Sequence, residues 1–123
     1  MSKKKIYIAG PMSGIPEWNY PAFFAAEEML SKEGWADIKN PARKDEEMGY
    51  DDPEAKATGD TALSIKKGVF NFREAFEWDI KQILTGDAIY MLKGWEASPG
   101  ACAEHATAVV MRKNYPEFEI IYA

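Results

Sequence analysis

The chain has 123 residues, of which 46% are hydrophobic and 28% are charged, proportions typical of one globular domain rather than a disordered segment. Its formal net charge of -5 argues against general nucleic-acid binding, which requires a positive field over the phosphate backbone. A single cysteine, Cys102, excludes a disulfide within the chain and a cysteine-based zinc site, and fits a reducing cytosol.

The N-terminal lysines precede an apolar run that ends at Gly10, which is too short for a signal peptide or a membrane span. We therefore expect a cytoplasmic protein that has no membrane partner. His105 is the only histidine, so the sequence also argues against a metal site. No cofactor-binding motif is present, and we expect the protein to need no cofactor.

Short apolar runs alternate with longer amphipathic segments. The predicted strands are residues 6–9, a weak run near 35–39, residues 87–92 and residues 119–122. Predicted helices follow the candidate N-caps Asn19, Asn71 and Ser98 and end near Gly34, Gly86 and Lys113. Residues 43–68 lack a sustained period and are predicted to be a long, partly ordered insertion with room for one short helix.

This alternation predicts an α/β fold for residues 1–123, taken as one domain: a small doubly wound parallel sheet of four to five strands with helices on both faces. Sheets of this kind bind ligands beyond the carboxyl ends of their strands, where the strand order reverses. The loops that open there are residues 10–19 and 93–98. We expect the chemistry to lie in these loops.

The first of these loops reads Gly10-Pro11-Met12-Ser13-Gly14. Its two glycines would allow the backbone to approach a ligand, although a plain strand-exit turn explains them equally well. The loop is neither a dinucleotide-binding motif nor a phosphate loop of the GK[ST] type. The aromatic residues Trp18, Tyr20 and Trp95 lie on or beside the two loops, where they could stack on a base or simply pack.

Two carboxylates are candidates for chemistry. Asp79 falls within the apolar stripe of the second helix, and it is either a buried structural acid or a functional group. That stripe consists of Phe72, Ala75, Phe76, Ile80 and Ile83. The predicted core stripe of the third helix consists of Cys102, Ala106, Val109 and Val110. Glu104 lies off that stripe among small residues, so either it is a surface glutamate or a ligand or another subunit approaches it.

Several segments together resemble the nucleoside 2-deoxyribosyltransferase-like superfamily, in a branch common in bacteriophage genomes. They are Ile6-Tyr7-Ile8-Ala9-Gly10-Pro11-Met12, Asn40-Pro41, Asp79, Asp87-Ala88-Ile89-Tyr90 and Gly94-Trp95-Glu96-x-Ser98-x-Gly100-Ala101-x-x-Glu104. The resemblance implies a flavodoxin-like fold and a phage or prophage origin. It also implies an active site that a neighbouring subunit often completes, and hence a homo-oligomer.

The resemblance assigns roles to individual residues. It implies that Glu104 is the nucleophile that attacks the anomeric carbon, that Asp79 handles the leaving base or the sugar, and that Tyr7 orients the nucleophile. It places the substrate against residues 10–14, Trp95, Ser98 and Gly100. The expected partner is accordingly a small nucleotide or nucleoside.

Position 98 distinguishes two branches of that superfamily. Nucleoside transferases carry an aspartate there, whereas the related deoxynucleoside 5'-monophosphate N-glycosidases carry a serine that binds the 5'-phosphate. Ser98 therefore favours the glycosidases. The first loop lacks the basic residue that those glycosidases use for phosphate, and Lys93, Arg43 and Arg73 are the candidate substitutes.

Three functions follow as hypotheses. The first is hydrolysis of the N-glycosidic bond of a (deoxy)nucleoside 5'-monophosphate. The second is a deoxyribosyltransferase that moves the sugar between bases. The third is a nucleotide-binding protein without catalysis, in which Glu104 is only a ligand contact.

Overall fold

The computed structural model describes residues 3–123; Met1 and Ser2, where the N-terminal segment considered above begins, lie outside it. The strands are β1 (Lys5–Ala9), β2 (Asp37–Lys39), β3 (Ala88–Met91) and β4 (Glu119–Tyr122). The helices are α1 (Tyr20–Lys32), α2 (Pro41–Glu47), α3 (Pro53–Thr58), α4 (Thr61–Lys66), α5 (Phe72–Leu84) and α6 (Pro99–Asn114). Across residues 3–123, no helix combines the length and apolar character needed to cross a bilayer.

All four strands are parallel and lie in the order β2-β1-β3-β4. The predicted small, doubly wound α/β sheet is confirmed. The central strands β1 and β3 are buried almost throughout, which explains why they are near-continuous apolar runs in the sequence.

Alternation along β1 divides the core into two layers. Ile6 and Ile8 pack with α1 and α2 on one face of the sheet, whereas Tyr7 and Ala9 pack with α5 and α6 on the other. The side-chain period of a strand therefore directs Tyr7 toward the two helices that carry Asp79 and Glu104.

The strand order reverses between β1 and β3, because β1 pairs with β2 on one side and with β3 on the other. Past the strand ends, the N–H of Leu92 still donates to the carbonyl of Ala9 at 2.8 Å. A Cβ at Gly10 would lie 2.7 Å from Leu92 Cβ, so only glycine fits at this close approach. The loops after β1 and β3 consequently leave the sheet side by side.

The prediction for residues 43–68 was wrong in part, because this stretch continues α2 and contains the short helices α3 and α4. Each of the three helices begins at a polar cap: Asn40 accepts from Ala42 N–H, Asp52 from Ala55 N–H and Asp60 from Leu63 N–H. The helices are six or seven residues long. They are thus too short to show a helical period, and their caps were not predicted from the sequence.

The predicted caps Asn71 and Ser98 are confirmed, since their side chains accept from Glu74 N–H and Ala101 N–H. The cap at Asn19 was wrong. Asn19 has a φ of 59°, and its side chain donates instead to the carbonyl of Pro11 at 3.0 Å. This residue thus holds the first loop rather than the end of α1.

The predicted core stripe of α6 was also wrong. Val109 and Val110 are exposed, Val110 by 60%, whereas the buried face carries Ala101, Glu104 and Ala108. Because α6 packs closely on α5 and the sheet, its inner face requires small side chains, and the larger apolar residues turn outward. Glu104 therefore points into the protein.

Candidate active site

A cavity of about 710 Å³ opens at the carboxyl ends of β1 and β3, within the size range of small-ligand sites. The two loops that follow these strands line it, together with parts of α2, α5 and the first turns of α6. The cavity thus lies at the point where the strand order reverses, as expected for this class of sheet.

Tyr7 and Glu104 meet at this cavity. The Tyr7 hydroxyl donates a hydrogen bond to Glu104 Oε2 at 2.9 Å. Glu104 is only 5% exposed, yet it lines the cavity with Asp79 and Tyr7. The packing of α5 against α6 brings the Asp79 carboxyl next to that of Glu104. The three residues to which the resemblance gives catalytic roles therefore form one cluster.

The two carboxyl groups ionise at different pH. Burial raises the pKa of Glu104 to about 7, and hydrogen bonds from Tyr7 and Asp79 oppose part of that rise. Burial, and then the charge of Glu104, raises the pKa of Asp79 well above its usual range. Above about pH 7 the pair therefore shares one proton, which Asp79 holds while Glu104 is ionised.

Tyr7 stays a neutral donor in this cluster. Burial, followed by the charges of Asp79 and Glu104, raises the pKa of its hydroxyl well above the usual range. Its ring is held by an edge contact with Trp78 at 6.5 Å. The hydroxyl can therefore fix the orientation of the Glu104 carboxylate without transferring its own proton.

Most residues predicted to bind the substrate line the cavity: Gly10, Pro11, Met12, Ser13, Ser98 and Gly100. Gly14 and Trp95 are not part of its lining. Trp95 stacks instead on His105 at 4.2 Å, and the His105 ring pairs with the Tyr122 hydroxyl at 2.7 Å. The single histidine thus packs against Trp95 and Tyr122 and does not line the cavity.

Ser98 lies at the N-terminus of α6, where its hydroxyl oxygen accepts from Ala101 N–H and faces the cavity. Of the three basic residues considered as phosphate ligands, Lys93 lines the cavity and Arg73 does not. Arg43 forms an ion pair with Glu27 at 2.8 Å. Lys93 and Ser98 are therefore the groups in place to receive an anion.

Comparison with known proteins gives a family but no activity. Residues 4–115 match the family described as a domain of unknown function, DUF4406. The chain belongs to this family. No curated protein and no solved structure matches it. The function of this DUF4406 protein must therefore be argued from the site itself.

Asp45 was not among the predicted site residues, yet it lines the cavity of this DUF4406 protein and is 7% exposed. Burial, and then the nearby Asp79, raises the pKa of its carboxyl to about 8. Because the Asn40-Pro41 cap starts α2 at the carboxyl end of β2, that cap was the signal that the first turns of α2 face the site.

The insertion is joined to the first loop. Gly14 N–H donates to the carbonyl of Gly59 at 2.8 Å, and the hydroxyls of Ser13 and Thr61 lie 2.6 Å apart. These contacts make the start of α4 a wall of the cavity. The insertion therefore shapes the site.

Replacing Gly59 with alanine is expected to destabilise this junction. Gly59 has a φ of +74°, and a Cβ there would lie 2.2 Å from the carbonyl oxygen of Ile15. Gly49 also has a φ of +74° but no atom within 4 Å of its Cβ position, so Gly49→Ala is the matched control. Gly49→Ala should lower the free energy of unfolding by roughly 1 kcal/mol and Gly59→Ala by roughly 3 kcal/mol or more. Chemical denaturation of both variants measures the difference, and equal losses would contradict the steric argument.

Proposed function

We propose that this protein hydrolyses the N-glycosidic bond of a (deoxy)nucleoside 5'-monophosphate. The observation that carries the proposal is the buried pair of Glu104 and Asp79, with Tyr7 donating to Glu104 at 2.9 Å, at a cavity of nucleotide size. The resemblance to the nucleoside 2-deoxyribosyltransferase-like superfamily supports the same roles for these residues.

In the proposed reaction the Glu104 carboxylate attacks the anomeric carbon as the bond to the base breaks, and a glycosyl ester forms. Water then cleaves the ester and restores the carboxylate. Tyr7 fixes the attacking oxygen, because its hydroxyl already binds one oxygen of the carboxylate. The protonated Asp79 lowers the pKa of Glu104 and can donate to the substrate, as an acid or as a positioning group.

The 5'-phosphate is proposed to bind between Ser98 and Lys93. Ser98 caps a 16-residue helix whose N-terminal dipole favours an anion, and Lys93 supplies a positive charge at the same cavity. These two groups support a monophosphate rather than an uncharged nucleoside as the substrate.

Replacing Ser98 with aspartate is expected to turn the preference from monophosphates toward nucleosides. Aspartate keeps the N-cap, but its charge opposes the phosphate, so kcat/KM for the monophosphate should fall by about 10-fold or more relative to the nucleoside. Ser98→Asn is the control, because asparagine has the shape of aspartate and no charge. If both variants lose the same amount, the phosphate does not lie at position 98.

The experiment that tests the proposal is a chromatographic assay of the wild-type protein with a panel of ribo- and deoxynucleoside monophosphates. Free base released one-to-one with loss of nucleotide is the expected result. Product that forms only when an acceptor base is added would replace the proposal with the transferase. Tight binding without any turnover would identify a nucleotide-binding protein. If no monophosphate is either bound or cleaved, the proposal is refuted.

We also propose a cellular location, a lineage and an oligomeric state for the protein. We place it in the cytoplasm, in a phage-associated lineage and in a homo-oligomer. The exposed apolar side chains Val109 and Val110 on the outer face of α6 support the last of these.

A further inference from the structure

Four aromatic rings form one wall of the cavity, and neither the resemblance nor the proposed chemistry gives them a role. This aromatic wall consists of Tyr50, Phe70, Phe72 and Phe76. Tyr50 meets Phe70 edge-on with centroids 4.9 Å apart, and Phe70 contacts Phe72 at 6.4 Å. Phe72 and Phe76 are stacked at 5.4 Å and nearly parallel, at 14°. The rings therefore make a continuous apolar surface.

Phe72 leaves much of its ring uncovered. It is 46% exposed although it lines the cavity, whereas a ring in an ordinary core would be covered. An uncovered ring face in a concave site is suited to stacking with a flat aromatic ligand, because every nucleobase has a π face. The aromatic wall thus fits the heterocycle of a nucleotide better than its sugar or phosphate.

Asp45 lies beside this wall. The N–H of Tyr50 donates to the backbone carbonyl of Asp45 at 3.2 Å, and both residues line the cavity. Besides burial, which is the largest cause, the charge of Asp45 also contributes to the raised pKa of the Tyr50 hydroxyl. Asp45 is almost fully buried, lines the same cavity and takes part in none of the ion pairs found within residues 3–123. A carboxyl buried without a cation is favoured in its neutral form, in which it is a hydrogen-bond donor.

Two groups that face Asp45 shift the pKa of its carboxyl in opposite directions, and the upward shift is the larger. Besides burial, the carboxyl of Asp79 on α5 raises the pKa of Asp45, and the nearby Tyr20 hydroxyl lowers it by less. Asp45 therefore holds its proton at neutral pH, whereas Glu104 is the more acidic of the two.

We propose that the aromatic wall and Asp45 form the subsite for the leaving base, and that Asp45 is the acid that protonates it. The inference rests on the proposed function. As the bond between the anomeric carbon and the base breaks, its electron pair goes to the base, and the Asp45 proton goes to a ring nitrogen or carbonyl oxygen of that base. The Glu104 carboxylate forms the ester with the sugar. When water cleaves the ester, one proton returns to Asp45, and both carboxyls regain their starting states. Asp79 is left to position Glu104 and the sugar.

The test compares Asp45→Asn with the wild type on two substrates. One is the monophosphate that the wild type cleaves fastest. The other is the same nucleotide with a better leaving group: N7-methylated for a purine or 5-fluorinated for a pyrimidine. Loss of a general acid should lower turnover of the first substrate by roughly 100- to 10,000-fold and that of the second by far less. Asp51→Asn, an exposed aspartate outside the cavity lining, is the matched control.

Three results are informative. A selective loss on the unactivated substrate supports the assignment. An equal loss on both substrates, or no loss on either, overturns the acid role of Asp45 while leaving the glycosidase proposal intact. If the wild type is inert with every monophosphate, the glycosidase proposal fails, and the acid role of Asp45 fails with it.

The stacking part of the inference has a readout that needs no turnover. Binding of adenosine 5'-monophosphate and of ribose 5-phosphate to Glu104→Gln protein is measured by calorimetry, with and without Phe72→Leu. Loss of a stacked ring should weaken binding of the nucleotide by roughly 5- to 150-fold and leave the base-free sugar phosphate unchanged. Tyr115→Leu, which removes an exposed ring outside this cavity, is the control. Equal binding with and without the Phe72 ring would overturn the base subsite.

Discussion

Replacing Glu104 with glutamine is expected to lower base release from the preferred monophosphate by about 10,000-fold or more. Glutamine has nearly the shape of glutamate, and its carbonyl oxygen can still accept the hydrogen bond that Tyr7 donates to Glu104 at 2.9 Å. It cannot form a glycosyl ester. The variant should therefore fold and bind nucleotide while losing the chemical step.

The same substitution separates chemistry from folding. Glu104 is an almost fully buried carboxylate, and its neutral replacement avoids the cost of burying a charge, so the melting temperature should stay unchanged or rise. Glu117→Gln, at an exposed position outside the cavity lining, should change neither property. Mass spectrometry of quenched wild-type reactions should find a sugar phosphate on the peptide that contains Glu104. Turnover by Glu104→Gln at the wild-type rate would reduce this residue to a ligand contact.

β1 and β3 were readable from the sequence because their apolar runs are nearly unbroken, whereas the short β2 gave only a weak signal. β4 has the predicted bounds, and β3 lies within the predicted range. The caps Asn71 and Ser98 were readable because each stands directly before an amphipathic segment. Local signals of this kind determine where an element begins, and they need no knowledge of what packs against it.

The orientation of α6 was not readable in the same way. Residue type favours Val109 and Val110 as the buried face, but close packing against α5 selects Ala101 and Ala108. Which face of a helix turns inward depends on the distance to its neighbour, a tertiary property. The error matters because it left Glu104 off the buried face, either as a surface glutamate or as a residue that a ligand or another subunit approaches. The catalytic role of Glu104 came only from the resemblance.

The candidate site could likewise be predicted from the sequence only in part. Tyr7, Asp79 and Glu104 lie far apart in the chain and are brought together by the sheet and the packing of α5 on α6. Asp45 escaped notice because it lies in a polar stretch without a helical period. Its residue type does not distinguish it from the exposed Asp51, since its raised pKa comes from burial and from the nearby Asp79, which are tertiary properties.

The free energy of unfolding is expected to fall as the pH rises from about 5.5 to about 8.5. Burial raises the pKa of Asp45 from 3.8 to about 8 and that of Glu104 from 4.5 to about 7 in the folded protein. A carboxyl with a raised folded-state pKa stabilises the fold most where it is protonated in both states, below its unfolded pKa. That stabilisation is lost as the pH rises toward the folded value. The two acids whose pKa is lowered, Glu27 and Asp52, act in the opposite direction but titrate below this pH window.

Urea denaturation of the wild type and of Asp45→Asn at these two pH values measures the effect. For Asp45 alone the loss is on the order of several kcal/mol, discounted for the mutual influence of the three carboxyls. Asp45→Asn should show a clearly smaller fall, and the exposed Asp51→Asn should follow the wild type. Stability that is constant or rises with pH in the wild type would mean that the cavity carboxyls are hydrated and ionised. In that case Asp45 could not hold a proton for the leaving base, so this measurement bears on the chemistry before any substrate is known.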